Sequence, residues 1–368
     1  MMATIETHGV VVRGPGGPAI LEPIRVEDPG PGEVRVAVTA NGLCHSDAWA
    51  IEHGNWGEPW PMLLGHEAAG IVESVGAGVS IEPGREVLLV WAMPCGSCPT
   101  CARGLPRRCP HAWDQPPRMW TADGARLAGT LALGTFATHV VVHESQAVPM
   151  PAGLDPVAAC LLGCGASTGV GAAINTGGVR PGDRVAVIGL GGIGLSALQG
   201  AAIAGAERIV AVDLVAGKLA VAGRLGATDL IDASATDAVE AVRSLTGGVD
   251  VALEATGVPA VVEQTVAMLD RGGTAVAIGV PPPASTVSLA WGEGAAGAAY
   301  GNKARLTVTD GGDPVAEDFT TWLSWVADGR LDLASLVTRT ADLSDETLDE
   351  AIRAMLAGEV VRTVFRMA

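Results

Sequence analysis

The chain has 368 residues, enough for about two domains with large apolar cores. Hydrophobic residues make up 48% of it, which excludes a disordered polypeptide. A formal net charge of -17 argues against nucleic acid and anionic membrane surfaces as partners, because both would repel it.

The N-terminus, Met1-Met2-Ala3-Thr4-Ile5-Glu6, has no basic region followed by an apolar run. It does not read as a secretory signal, and a cytoplasmic protein is expected. From Val34 to about Val148 the chain reads as short strands separated by turns. Glu33–Val38, Gly70–Val75 and Arg85–Val90 alternate moderately and are bounded by Gly, Pro and Asn. This predicts an all-β, barrel-like module.

Within it, Cys95, Cys98, Cys101 and Cys109 form a C-x2-C-x2-C-x7-C run. Four thiolates this close suit one tetrahedral zinc, and a closed four-sulfur shell leaves no position for chemistry. The predicted role is structural, clamping the loop from Trp91 to Pro110. Two disulfides are the competing reading. The chain length, the odd count of seven cysteines and the missing secretory signal weigh against them.

Two stretches, Pro156–Val179 and Val185–Ala206, lack charge over membrane-spanning lengths. Both are dense in Gly and small residues. The second reads better as a buried strand, a glycine turn and a buried helix, so no membrane span is expected.

After Pro181-Gly182-Asp183 strands alternate with helices. Strands are predicted at Arg184–Ile188, Ile209–Asp213, Asp229–Asp232, Val249–Leu253 and Thr274–Ile278. Helices are predicted at about Ala216–Leu225, Thr236–Leu245 and Pro259–Leu269. The alternation implies a doubly wound parallel sheet. The last sixty residues carry an amphipathic helix near Ala316–Ala327 and then a β-α-β tail.

Gly189-Leu190-Gly191-Gly192-Ile193-Gly194 matches G-x-G-x-x-G. Alone that is a weak signal. Here it follows a predicted strand, opens a helix, and precedes Asp213 at the end of the next strand, which makes it a dinucleotide fingerprint. Gly189 permits the turn, Gly191 lets backbone approach a pyrophosphate at the helix N-terminus, and Gly194 lets helix and strand pack. Asp213 is expected to accept from an adenosine ribose hydroxyl. A 2′-phosphate would meet like charge there, so NAD is expected over NADP.

Three more residues have ligand chemistry: Cys44 in Cys44-His45-Ser46-Asp47, His66 in Gly65-His66-Glu67, and Cys164 in Gly163-Cys164-Gly165. Two thiolates and one imidazole would leave the fourth zinc position open, as catalytic zinc requires. Singly, each also reads as an inert buried Cys or a satisfied His. Cys160, on the apolar run Ala158–Leu162, reads as the spare thiol.

In this order, Cys44–Asp47, Gly65–Gly70, the four-cysteine loop, Leu162–Gly165 and Gly189–Gly194 resemble the zinc-dependent alcohol dehydrogenases of the medium-chain dehydrogenase/reductase superfamily. The likeness covers nearly the whole chain and is closest to the glutathione- or mycothiol-dependent formaldehyde dehydrogenase branch. It implies an α/β protein with a GroES-like β-barrel catalytic domain in two segments, 1–160 and 307–368, flanking a Rossmann NAD-binding domain at 161–306. It further implies an active-site cleft where the domains meet, a homodimer or homotetramer built through the Rossmann sheets, and two zinc ions per chain.

By the same resemblance, Cys44, His66 and Cys164 hold the catalytic zinc, and Glu67 is a nearby carboxylate able to approach it. Glu67 also reads as an ion-pair carboxylate. Asp47 orients His66, and Ser46 is the first proton acceptor. In many relatives a histidine five residues after the first zinc cysteine completes the relay. Here that residue is Trp49, which cannot accept a proton. The relay is expected to end in solvent, with His53 as the alternative. His45 and Arg362 match positions that contact the pyrophosphate together with Gly192 and Ile193. Lys218 reads either as a ribose contact or as a solvated lysine.

Trp91 falls where the family places a wall of the substrate channel, and Trp49, Trp56 and Trp113 are candidates to extend it. Each also reads as a core residue. The arginine that grips glutathione in some relatives is missing from Pro110–Asp114. The expected activity is NAD-linked interconversion of a primary alcohol and its aldehyde. A mycothiol-adduct formaldehyde dehydrogenase and a non-catalytic zinc- and nucleotide-binding protein are the alternatives.

Overall fold

The computed structural model describes residues 4–54, 60–91, 94–106, 109–112, 114, 118–289, 299 and 301–367. It divides into two compact units. The first comprises 1–164, 315–329 and 333–368, and the second comprises 165–314 and 330–332.

The first unit is mostly β. In chain order it contains β1 (Thr4–Val12), β2 (Ile20–Glu27), β3 (Glu33–Gly42), helix α1 (His45–His53), β4 (Met62–Leu63), β5 (Glu67–Val75) and β6 (Glu86–Leu89). There follow the short helix α2 (Pro99–Ala102), β7 (Met119–Thr121), β8 (Ala128–Gly129), β9 (His139–His143), β10 (Ala147–Pro149) and α3 (Pro156–Ala159). β1 and β2 pair antiparallel, and β3 pairs antiparallel with β5 and with β9. Alternation explains β3: Val34, Val36, Val38 and Ala40 are buried on one face. Val34, Val36 and Val38 join Val72, Val87, Leu89 and Val140 in a core that also takes in Cys44, Cys164 and Trp91.

The second unit opens with α4 (Gly165–Gly171) and then alternates: β11 (Arg184–Ile188), α5 (Gly192–Ile203), β12 (Arg208–Asp213), α6 (Ala216–Arg224), β13 (Asp229–Asp232), α7 (Ala238–Thr246), β14 (Val249–Glu254), α8 (Pro259–Ala267), β15 (Leu269–Ala277) and β16 (Arg305–Val308). Their order is β13-β12-β11-β14-β15-β16 and every pairing is parallel. This is the doubly wound arrangement, with the reversal of strand order beside β11. The strands read as continuous apolar runs because consecutive residues, and so both faces of the sheet, are buried. Arg184 ties three strand starts together, bonding Asp250 at 3.0 Å and Asp270 at 2.8 Å.

The chain then returns to the first unit with α9 (Ala316–Ala327), β17 (Val337–Asp342), α10 (Asp345–Leu356) and β18 (Arg362–Arg366). α9 buries Phe319, Trp322 and Leu323 on one stripe, as its amphipathic spacing predicts. β18 pairs parallel with β17 and antiparallel with β3, so the tail completes a sheet begun near the N-terminus.

The sequence predicts domain boundaries at 160/161 and 306/307. The two compact units divide at 164/165 and 314/315, with 330–332 also in the second. Cys164 belongs to the first unit's core, and β16 continues the parallel sheet to Val308. Among the described residues, no single helix is long and apolar enough to cross a membrane. The charge-free stretch from Pro156 is broken at Cys164, whose φ of -147° and ψ of -78° are not helical.

The turn between β11 and α5 shows why two of its glycines are needed for packing. Gly189 has φ +87°, and a Cβ there would lie 2.5 Å from Thr256 Cγ2. A Cβ on Gly194 would lie 1.8 Å from the Gly189 carbonyl oxygen. At Gly191 an added Cβ meets nothing within 4 Å. Gly194→Ala is therefore expected to lower stability by roughly 2 kcal/mol or more, because backbone must move to admit the methyl. Gly191→Ala is expected to stay within about 0.5 kcal/mol of the parent. Denaturant unfolding of both variants checks this, and equal midpoints for the two would contradict it.

Candidate active site and metal centres

The four-cysteine loop brings its sulfurs to metal-site spacing. Cys98 Sγ lies 3.6 Å from Cys101 Sγ and 3.8 Å from Cys109 Sγ, and Cys109 Sγ lies 3.6 Å from Cys95 Sγ. Four ligands on bonds of about 2.3 Å in a tetrahedron sit roughly 3.8 Å apart. A disulfide would bring two sulfurs to about 2.05 Å. All seven cysteines are free thiols. Backbone N–H groups of Cys95, Cys98 and Cys101 donate to neighbouring sulfurs at 3.4–3.5 Å. Such donors, with Ser97 and Cys98 foremost, pull Cys95 down to about 6. Desolvation, with Cys98 and Cys109 close by, pushes Cys101 up to about 12. Four thiolates cannot share this volume without a cation, and the donor set fits zinc.

A second cluster forms from three distant parts of the first unit. Cys44 caps α1, His66 immediately precedes β5, and Cys164 follows the short turn after α3. Ligand atoms of Cys44, His66, Cys164 and Glu67 all lie within 4.8 Å of one another, and all four residues are buried.

Asp47 holds two of these segments in register. Its Oδ2 accepts from Cys44 N at 3.0 Å, and its Oδ1 accepts from Gly65 N at 3.1 Å. The same Oδ1 faces His66 Nδ1 at 3.3 Å. His66 Nε2 is buried and has no hydrogen-bond partner. An imidazole whose far nitrogen is left over among two sulfurs is suited to a metal ion.

The electrostatics agree. A hydrogen bond from Cys164 holds Cys44 well below the ordinary thiol range, against the opposing effect of burial. The same pairing, together with burial, pushes Cys164 well above it. Burial pulls His66 down, but Asp47 and the Cys44 sulfur outweigh it and hold His66 well above its usual value.

Arg362 stands at the start of β18, 6% exposed, with Nη1 3.7 Å from Glu67 Oε1 and 3.4 Å from the Leu43 carbonyl. Burial is opposed by Glu67 and the two thiols, and its guanidinium stays charged. The sequence reading linked Arg362 only to a pyrophosphate. Its partnership with Glu67 was not anticipated, and an Arg in the apolar strand Arg362–Arg366 was the available signal.

Other predicted residues are placed as follows. Ser46 is half-buried with Oγ 3.7 Å from Cys44 Sγ. His45 is exposed at the start of α1. Trp49 is half-buried and meets His53 edge-on at 4.2 Å between ring centroids. His53 is exposed, 3.9 Å from Glu52. Trp91 is buried in the core shared with Cys44 and Cys164. Trp56 and Trp113 lie outside the described residues. Cys160 is fully buried, its thiol directed to the Val157 carbonyl at 3.4 Å.

In the second unit, Gly191 caps α5 and Gly192, Ile193 and Gly194 form its first turn. Asp213 ends β12, half-buried, and Lys218 is half-buried on α6. Glu254, which the sequence reading left outside its strand, is fully buried at the end of β14. Its Oε1 accepts from Thr256 N at 2.6 Å and Gly257 N at 3.0 Å, shaping the loop beside Gly189. A Glu closing an apolar run before Ala-Thr-Gly was the signal for it.

Two family models match the chain: the alcohol dehydrogenase GroES-like domain over residues 30–152 and the zinc-binding dehydrogenase domain over 192–327. The S-(hydroxymethyl)glutathione dehydrogenase of Photobacterium damsela subsp. piscicida is 33% identical across 98% of this chain and 99% of its own length. Among solved structures, an alcohol dehydrogenase zinc-binding domain protein from Burkholderia ambifaria superposes with a TM-score of 0.91 at 33% identity, covering 100% of both chains. Benzyl alcohol dehydrogenase from Acinetobacter calcoaceticus gives a TM-score of 0.88 at 27% identity, over 99% of this chain and 100% of its own. Full-length similarity at this level, on a fold with both domain types, means that the chain is an oxidoreductase belonging to the zinc-dependent alcohol dehydrogenases of the medium-chain dehydrogenase/reductase superfamily.

Proposed function

We propose that the protein interconverts a primary alcohol and its aldehyde with NAD(H), using one catalytic and one structural zinc per chain. The observation that carries this is the buried Cys44–His66–Cys164 cluster with its unpartnered His66 nitrogen. In this reading the first unit is the catalytic domain and the second the cofactor domain.

Cys44, His66 and Cys164 would hold the catalytic zinc, and Cys95, Cys98, Cys101 and Cys109 the structural one. When bound, the zinc supplies Lewis acidity to the substrate oxygen, and the nicotinamide supplies the hydride acceptor or donor. The chain's own residues do the rest. Asp47 fixes the His66 ring. Arg362 offsets the charge gathered around Glu67 and the thiols. Ser46 Oγ accepts the hydroxyl proton of the alcohol and passes it to solvent.

The first turn of α5 supports pyrophosphate binding. Asp213 is the ribose reader, with Lys218 as a further ribose contact. Leu214, Val215, Ala216 and Gly217 follow Asp213 without a basic residue, which favours NAD over NADP. Trp91, Trp49, Trp56 and Trp113 are the proposed apolar wall, suited to an aromatic or bulky alcohol.

The name of the Photobacterium relative favours a second reading, oxidation of a formaldehyde–thiol adduct. Arg118, the first arginine after Cys109, is committed to Glu33 at 2.8 Å and Glu27 at 3.3 Å. That disfavours a glutathione carboxylate grip and leaves mycothiol as the thiol to test.

A homodimer or homotetramer in the cytoplasm completes the proposal. Its support is β16, an edge strand carrying exposed Leu306 and Val308, the latter 75% exposed. Val308→Asp is expected to shift the protein to a smaller species in sedimentation analysis. Unchanged mass would place the interface elsewhere.

The direct test is a panel of alcohols and aldehydes followed at 340 nm with NAD(H), with and without mycothiol or glutathione, and with zinc measured on the same sample. Two zinc per chain, and one in an inactive His66→Ala variant, are expected. Full activity with one zinc or fewer in the parent would refute the assignment. For the relay, His53→Ala is expected to leave the pH profile of kcat unchanged, because His53 is exposed and pairs with Trp49 and Glu52. A large shift of the profile would show that His53 moves the proton.

A further inference from the structure

Asp213 uses both carboxylate oxygens inside the chain. Leu190 N donates to Oδ2 at 2.7 Å, and Val215 N donates to Oδ1 at 2.9 Å. Leu190 is the second residue of the glycine turn, and its side chain is fully buried. Beside it, Gly189 N donates to the Val212 carbonyl at 2.9 Å. Two adjacent bonds therefore pin the turn to the end of β12, one to backbone and one to a charged side chain.

The amides that follow belong to the cap and first turn of α5. Leu195 N makes the first bond back along the helix, to the Gly191 carbonyl at 2.9 Å. The N–H groups at Gly191, Gly192 and Ile193 have no intrahelical acceptor, and an anion can use them. By taking the Leu190 N–H, Asp213 divides the turn. Leu190 faces the sheet, and the next amides are left for the ligand. Each carboxylate oxygen has a second lone pair, and Asp213 is half-exposed, so a ribose hydroxyl can still be bound.

We infer that Asp213 is a positioning residue for the glycine turn, shaping the pyrophosphate site before cofactor arrives, in addition to reading the ribose. The inference deepens the NAD reading above and rests on it for the identity of the ligand. Its consequence is that replacing Asp213 to admit a 2′-phosphate weakens binding of both cofactors.

The test separates the two roles. Parent and Asp213→Ala are titrated by tryptophan fluorescence with NADH and with an NADH analogue lacking both adenosine ribose hydroxyls. If Asp213 only reads the ribose, both proteins bind the analogue alike. We expect Asp213→Ala to bind the analogue roughly tenfold more weakly than the parent, the scale of one lost charge-assisted hydrogen bond. Affinities within twofold overturn the inference. Asp213→Asn keeps one acceptor oxygen for Leu190 and is expected to recover most of the loss. An Asn variant as weak as the Ala variant also overturns it.

A second measurement needs no cofactor. In the ligand-free protein, amide exchange over 189–194 is expected to quicken about tenfold in Asp213→Ala, while 249–254 keeps its protection. Unchanged exchange over 189–194 refutes the positioning role. A parent that fails to bind NADH, with the turn still loosened in Asp213→Ala, would sink the NAD reading and leave the positioning role standing.

Discussion

The Cys44–His66–Cys164 cluster depends on one buried carboxylate. Asp47 is fully enclosed and serves three groups at once: the amide of Cys44, the amide of Gly65 and the imidazole of His66. Cys44 and His66 are 22 positions apart and sit on different elements, α1 and the start of β5. The β3–β5 ladder ends with Gly42 opposite Glu67, just short of both residues. The carboxylate carries that pairing on to them, because each amide it accepts from lies at or next to one of the two. A buried charge is tolerated only when its lone pairs are satisfied. Satisfying them here is the same act as bringing the ligands together.

Around that carboxylate the site gathers charge that a protein interior ordinarily rejects. Glu67 and Arg362 are buried and paired loosely at 3.7 Å. The Cys164 hydrogen bond holds the Cys44 thiol well below its ordinary range, the same pairing with burial pushes Cys164 well above it, and Asp47 with the Cys44 sulfur outweighs burial to raise His66. Each shift has an identified neighbour as its cause, and together they describe a set of groups sharing too few protons. A divalent cation resolves that conflict. Cys44, Cys164 and His66 would hold such an ion through two sulfurs and one nitrogen, and it would favour their deprotonated forms. The four-cysteine loop resolves a similar conflict with sulfur alone. There, Cys95 at about 6 and Cys101 at about 12 mark how unequally adjacent thiols divide their protons when nothing else neutralises them.

Much of this was legible in the chain, unevenly. The parallel sheet read well because its strands are uninterrupted apolar runs bounded by glycine. Arg184–Ile188 and Asp229–Asp232 fall where expected, as does the helix Ala316–Ala327. The N-terminal pair β1 and β2 was not anticipated. Pro23 sits inside β2, opposite His8, and a proline inside a run argues against a strand unless that strand lies near an edge. β16 was missed because its residues are mostly exposed and carry no inward stripe. β15 starts at Leu269, five residues before the expected Thr274, since Asp270-Arg271-Gly272-Gly273 imitates a turn. At the site, spacing and chemistry identified the ligand-type residues, and the structure brings them together. Their buried supports are harder to read. The pairing of Glu67 with Arg362 joins residues nearly three hundred positions apart, and no local pattern records it.

The glycine turn shows how packing and function can be separated within a single motif. Gly189 adopts a left-handed conformation, and a Cβ there would meet Thr256. Gly194 is pressed onto the Gly189 carbonyl. Both would be glycine in this fold whether or not a ligand ever bound. Gly191 is different: its φ of -77° suits any residue, and the protein puts nothing near its missing side chain. Folding alone therefore leaves Gly191 unexplained, whereas close approach by a pyrophosphate accounts for it. In this motif a bound ligand accounts for the one glycine that the protein's own packing does not require.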